Sequence, residues 1–213
     1  MSPRLERLIH DLKQDGVATI EVENRSFALA PDPAQLSRMF GDPERAKKEI
    51  LGHWRAANEN DDEHRIQADL MAGRPFPYPH STPALLACQA AAILGGEGDP
   101  ESSPVRAEEA HGRYFARVQR AHLTECRDVA DEDVLVDVAV ELGWESERFR
   151  EVLHSEEARE RLESDLRLAQ EWGVGGVPAL VVERRWLISG AQPYALLRRS
   201  FEQIVRQLEE VDA

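Results

Sequence analysis

The feature that most constrains this chain is a run near its C-terminus, Gly173-Val-Gly-Gly-Val-Pro-Ala-Leu-Val-Val-Glu-Arg-Arg-Trp-Leu-Ile-Ser-Gly-Ala-Gln-Pro193. Glycine and proline end any helix before Ala179. Two short apolar runs follow, Ala179-Leu-Val-Val and Trp186-Leu-Ile, separated only by Glu183, Arg184 and Arg185. A gap this short predicts a tight antiparallel hairpin, ended at Gly190. From Pro193 to Val211, residues Leu196, Leu197, Phe201, Ile204, Val205 and Leu208 fall on one broad apolar face, the pattern of a closing amphipathic helix.

Upstream, nearly everything reads as helix. Leu5, Leu8, Ile9 and Leu12 recur at helical spacing over Pro3–Lys13, and Asp15-Gly16 ends that helix. Val17 to Leu29 alternates, with Ile20 and Val22 on one face and Pro31-Asp-Pro closing it, which predicts a strand. Asp42-Pro43-Glu44 is a helix start, and Ile50, Leu51 and Trp54 supply its apolar stripe. A short helix is expected over Asp61–Ala72. The proline-rich stretch from Gly73 to Pro83 is irregular, with Ser81 or Thr82 capping a helix that runs to Leu94. An exposed loop is expected over residues 95–104, followed by helices over Val105–Glu125, Asp131–Leu142 (capped by Asp131), Glu145–Leu153 and Ser155–Trp172.

Composition narrows the function classes. Lys and Arg number 26 against 40 Asp and Glu, a formal charge of −14. Such a surplus disfavours nucleic acid, whose phosphates are met by basic side chains. No apolar run approaches the length of a membrane span, so a membrane role is set aside. The first residues carry charges every few positions and do not read as a signal peptide, which makes a cytoplasmic address the expectation.

The two cysteines, Cys88 and Cys126, are too few and too far apart for a disulfide framework. Cys88 sits in the apolar run Ala84-Leu-Leu-Ala-Cys-Gln-Ala-Ala-Ala-Ile and reads as a small core residue. Cys126 follows His122 by one helical turn, so the pair could share a face toward a metal, yet no further ligand stands nearby in sequence. No metal site and no cofactor are expected. His53 and His64 read as surface or packing residues, and acidic pairs such as Glu156-Glu157 and Glu209-Glu210 as solvated helix faces.

The order strand, helical block, Gly-Val-Pro, hairpin and terminal helix resembles a thioredoxin fold with a helical insertion. Trp172 through Pro193 is similar to the C-terminal signature of DsbA-like oxidoreductases of the FrnE group. The resemblance implies that Val177-Pro178 forms a cis peptide opposite the redox site. It also implies that the next strand packs centrally and that Gly190-Ala-Gln-Pro193 launches the last helix. Glu23-Asn-Arg-Ser-Phe-Ala-Leu-Ala-Pro resembles the family's second strand, and Cys126-Arg-Asp-Val-Ala-Asp-Glu-Asp-Val-Leu the step between two insertion helices. The expected fold class is therefore α/β, a thioredoxin-like fold with a large all-helical insertion, N-terminally truncated relative to the family. Residues 1–30 and 173–213 would form the core, and 31–172 the insertion.

The family carries Cys-Pro-x-Cys or a relative at the start of its first helix, where the helix end stabilises a thiolate. This chain has no cysteines two residues apart, and Cys88 and Cys126 match family positions without chemistry. The resemblance implies a protein-disulfide oxidoreductase family member that is redox-impaired, so whether it is an enzyme stays open. A second reading is a glutathione-dependent isomerase or transferase of the kappa or hydroxychromene-carboxylate isomerase type, with Ser2 as its serine. A third is a noncatalytic protein holding an extended peptide beside Pro178. Val177, Pro178, Phe76 and His80 are the substrate-binding candidates, because the segment from Phe76 to Pro83 lies where relatives line the groove. A thiol-containing protein or peptide, or glutathione, is the expected partner.

By the same resemblance, the family's first strand lies between Val17–Leu29 and Ala179–Val182. Three arrangements would satisfy the unpaired edges: an upstream start that supplies a strand and a cysteine pair, a sideways shift that pairs Val17–Leu29 with Ala179–Val182, or a strand donated by another chain, as in a homodimer. The first is the expectation.

Overall fold

A computed structural model of the chain describes residues 3–59, 61, 64–98 and 103–212. In chain order its elements are α1 (Pro3–Gln14), α2 (Pro33–Phe40), α3 (Pro43–Glu59), α4 (Ala68–Ala72), α5 (Thr82–Gly96), α6 (Ser103–Leu123), α7 (Glu132–Glu141), α8 (Ser146–Leu153), α9 (Glu156–Glu171), β1 (Ala179–Val182), β2 (Trp186–Ser189) and α10 (Tyr194–Asp212). The described residues divide into two compact units, one of residues 3–25 with 167–212 and one of residues 26–166.

In the first unit, the hairpin forms as its spacing predicts. β1 and β2 pair antiparallel with Ala179 opposite Ser189 and Val182 opposite Trp186. Glu183 and Arg184 turn the corner at positive φ, and the Arg185 N–H closes the turn on the Val182 carbonyl at 3.0 Å. Leu180, Val182 and Ile188 face one way and pack with Leu8 and Leu12 of α1 and with Leu197 and Phe201 of α10. This two-stranded sheet with its two helices is the apolar centre of the unit. The Val177–Pro178 peptide bond is cis.

The segment expected as a strand over Val17–Leu29 joins no ladder among the described residues. Its apolar residues Val17 and Ile20 still pack against the α1–α10 cluster, and burial alternates through residues 19–25 in the strand period. A strand, however, is completed by its neighbour's hydrogen bonds, and here the Val17 and Ala18 N–H groups donate back to the Leu12 carbonyl of α1. The sideways pairing with Ala179–Val182 does not form among the described residues.

The second unit is helical throughout its regular elements. Ala87, Cys88, Ala90 and Ala91 of α5 lie against Tyr114 and Val118 of α6, Leu135 and Val138 of α7, and Phe149 and Val152 of α8. Small residues along α5 allow that approach. At Gly95 an added Cβ would stand 2.2 Å from the Ala110 Cβ and 2.9 Å from the Arg106 carbonyl oxygen, so only glycine fits there. Gly95 and Gly96 thus close α5 instead of opening the expected loop, whose residues 99–102 lie outside the described residues.

Other boundaries shift for local reasons. α2 was not foreseen; Asp32 caps it by accepting from the Gln35 N–H at 2.6 Å, with Pro33 in its first turn. The helix expected over Asp61–Ala72 is confined to Ala68–Ala72, because Asn58 Oδ1 and Asp61 Oδ2 take the Ile66 and Arg65 N–H groups and His64 adopts positive φ. Neither Ser81 nor Thr82 caps α5. Ser81 Oγ accepts from the Ala30 N–H and Thr82 Oγ1 donates to the Pro31 carbonyl, which ties the α5 start to the segment before α2. Asp131 does cap α7, accepting from the Asp133 N–H at 2.9 Å.

Candidate functional site

In the first unit, the loop from Gly173 to Pro178 delivers the chain into β1. Gly173 takes φ of 68°, a left-handed value that glycine adopts without cost after a helix end. Val177 is 47% exposed, and Pro178 beside it is exposed as well. The Pro178 carbonyl accepts from the Gly190 N–H at 2.8 Å, which locks the loop onto the end of β2. Beside β1 lies an open hollow of about 500 Å3 lined by Glu21, Glu23, Arg25, Trp172, Val181, Glu183 and Arg184.

In the second unit, Phe76 and His80 flank a buried polar and aromatic cluster. Lys47 donates to the carbonyls of Arg74 and Phe76, at 2.5 and 2.8 Å, and its ammonium lies 5.3 Å from the Phe76 ring centre. Phe76 packs with Trp54, Met71 and Cys126. His80 is half-buried and lies within electrostatic reach of Asp128. Burial pushes the Asp128 carboxyl up, while the Ala130 N–H bond, His80 and Lys47 pull it down. His80 and the Lys47 that binds the Phe76 carbonyl thus both act on Asp128. The segment that bears them is also a packing element, through Tyr78 and its neighbours.

Tyr78, Trp54 and His122 meet edge to face, with ring centres 5.0 to 5.9 Å apart. The Tyr78 hydroxyl lies 3.2 Å from His122 Nε2. Burial lowers the His122 imidazole to about 4 and raises the Tyr78 phenol to about 12, so both are neutral near pH 7. The suggested metal pair does not assemble. α6 ends at Leu123, Cys126 turns away at φ of 53°, and its Sγ donates to the Gln67 carbonyl at 3.2 Å. Among the described residues no group of three metal-ligating side chains occurs.

Cys88 is 1% exposed within the α5–α8 core, and burial pushes its thiol up to about 12. Cys126 is 0% exposed and burial likewise raises its thiol. His53 and His64 are exposed. Ser2 lies outside the described residues.

Residues 104–202 match the family model of the DSBA-like thioredoxin domain. Among solved structures, the chain is similar to a protein from Nitrosomonas europaea assigned as a protein disulfide isomerase, with 24% identity, a TM-score of 0.65, and coverage of 96% of this chain and 91% of the other. It is also similar to a protein from Streptomyces coelicolor assigned as a DsbA oxidoreductase, with 25% identity, a TM-score of 0.61, and coverage of 94% and 81%. A 2-hydroxychromene-2-carboxylate isomerase shares the fold at 19% identity, with a TM-score of 0.51 and coverage of 99% and 92%. The family-model match agrees with an α/β thioredoxin-like fold interrupted by helices. Among the described residues no helix is long and apolar enough to cross a membrane.

The sequence reading overlooked Lys47 and Tyr78 in the second unit and the charged lining of the hollow in the first, and it weighed His122 only as a partner of Cys126. A signal for Lys47 was available, since Lys13, Lys47 and Lys48 are the only lysines in the chain. Nothing local marked Glu21 or Glu183, which acquire meaning only when the hairpin stands near the 18–25 segment.

Proposed function

We propose that this chain is a member of the DsbA-like thiol-disulfide oxidoreductases, of FrnE type, that does not itself run a two-cysteine exchange cycle. The observation that carries the reading is the setting of its two thiols. Exchange begins with an accessible thiolate, and burial disfavours the charged form. Cys88 is buried in the helical core with its thiol raised to about 12, and Cys126 is buried with its Sγ engaged by the Gln67 carbonyl. What such a chain retains is a thioredoxin-like platform with Val177 and Pro178 exposed at the head of β1, suited to a thiol-bearing protein, peptide or glutathione. Phe76 and His80 are assigned to the same substrate-binding role, and a cytoplasmic location accords with the reading.

Insulin reduction with dithiothreitol as the electron source tests it. The chain should not raise the rate above that of dithiothreitol alone, and the Cys88→Ser/Cys126→Ser variant should behave identically. In parallel, a thiol reagent should label neither cysteine in the native protein during the minutes that suffice in denaturant. Fast reduction that vanishes in the double variant would overturn the proposal.

A further inference from the structure

Charge is unevenly divided between the two units. Residues 26–166 carry 16 basic and 29 acidic side chains, a formal charge of −13, whereas residues 1–25 with 167–213 carry 10 and 11. Almost the whole acidic surplus of the chain thus sits in the helical unit. Few of that unit's cations are left to offset it at longer range. Nine of its arginines already form ion pairs among the described residues. Lys47 is turned to the carbonyls of Arg74 and Phe76, and Arg74 to that of Glu125. On the surface, Glu49 of α3 and Glu156, Glu160 and Glu163 of α9 are exposed and make no ion pair among the described residues.

Within the unit, attraction is short-ranged and repulsion is spread out. Asp133, Asp137 and Glu141 recur every four residues along α7, a spacing at which like charges repel. Arginines from other elements stitch this ridge together: Arg150 of α8 meets Asp133 at 2.6 Å, Arg127 bridges Asp137 and Glu141 at 3.1 and 2.9 Å, and Arg117 of α6 joins Glu141 to Glu125. Arg117 and Arg127 are only 20% and 21% exposed, so salt weakens their contacts little. Glu156, Glu160 and Glu163 repeat the like-charge spacing on α9 with no such stitching. α3 and α7 also end on Glu59 and Glu141 with no basic residue in the last turn, where the helix dipole is already negative. Screening therefore removes mostly repulsion.

We infer that residues 26–166 form an ionic-strength-sensitive unit, loosened in dilute solution by their own negative field and tightened by salt, while the hairpin unit is insensitive. The range of the field decides the sign. Screening reaches about 30 Å at 0.01 M salt and about 10 Å at 0.1 M, so added salt first silences repulsion between distant carboxylates and leaves contacts near 3 Å in place. Excess like charge destabilises a compact state in this way, and the near-neutral first unit has almost none to lose. The device depends on neither thiol and on no ligand.

Amide hydrogen exchange on the full chain at pH 7 tests the inference, because it reads the two units separately. Between about 0.01 and 0.5 M sodium chloride, the Cys88, Ala90 and Ala91 amides of α5 should slow by at least about ten-fold, and the Leu180 and Val182 amides of β1 by less than about two-fold. Potassium chloride should act equally, since screening depends on ionic strength and not on which cation supplies it. Glu49→Gln/Glu160→Gln/Glu163→Gln, checked for an unchanged circular dichroism spectrum, should slow the α5 amides at low salt by about three-fold and shrink their response to added salt. Exchange that is level with salt, an equal response in both units, or a triple variant that exchanges as the wild type does would each overturn the inference. A response to one cation alone would overturn it in favour of a bound ion.

Discussion

His122 shows how burial alone sets the behaviour of one side chain. Its imidazole is held at about 4 against an ordinary value of 6.5, chiefly by burial, with the Arg127 backbone pulling the other way. The unfolded chain therefore takes up a proton between pH 6.5 and 4 that the folded chain refuses. Stability is fully present above pH 6.5 and falls as the pH drops through this window, by up to about 3 kcal/mol. Urea unfolding at pH 7, 5.5 and 4.5 should show that decline, and His122→Phe should flatten it. A wild-type curve that is level between pH 6.5 and 4.5 would refute it. Carboxylates such as Asp61, whose bond to Arg65 holds it below the usual range, lose their contribution only at still lower pH. Cys88 obeys the same physics with opposite sign. Its place in an apolar, alanine-rich helical run foretold a core thiol, whereas His122 was read only as a metal partner of Cys126 until Trp54 and Tyr78 closed around it.

At the scale of elements, α5 and α6 depend on a single missing methyl group. Alanine at position 95 would gain about 1 kcal/mol in helix propensity, but its Cβ would stand 2.2 Å from the Ala110 Cβ and 2.9 Å from a backbone oxygen. The helices would have to separate, at a cost of about 1–3 kcal/mol. Gly95→Ala should therefore lower the denaturation midpoint, and Ala110→Gly in the same chain should restore part of the loss; a rise in stability for the single variant would show that the helices adapt freely. Helix positions were readable from apolar spacing and from caps such as Asp131, because those signals lie within a turn of one another. The hairpin was readable for the same reason. The 17–29 segment was not, since its alternation reports which side chains face inward and says nothing of a neighbour for its backbone. Ser81 misled similarly: a good cap in sequence, it was claimed by the Ala30 N–H, 51 residues away.

At the scale of the whole molecule, the described residues 26–166 are closed by a buried polar clamp. Asp165, 3% exposed, accepts from the Ser26 N–H and from Gln89 Nε2, both at 2.9 Å, and Gln89 also donates to Ser26 Oγ at 3.1 Å. The chain enters and leaves this unit at this polar knot. An isolated fragment of residues 26–166 should accordingly give a helical circular dichroism spectrum and a cooperative melt. Asp165→Ala should cost about 3 kcal/mol, because two buried donors lose their acceptor. A fragment without a cooperative transition would mean that the unit does not stand alone. The sequence by itself determined the helices, the hairpin and the DsbA-like order of elements, because apolar period, caps and turn residues act over a few positions. Tertiary structure alone decided that Asp165 meets Ser26, that residues 19–23 join no ladder among the described residues, that Cys126 is buried and that a charged hollow opens beside β1. Each of those outcomes depends on groups brought together from distant parts of the chain, and local spacing holds no record of such meetings.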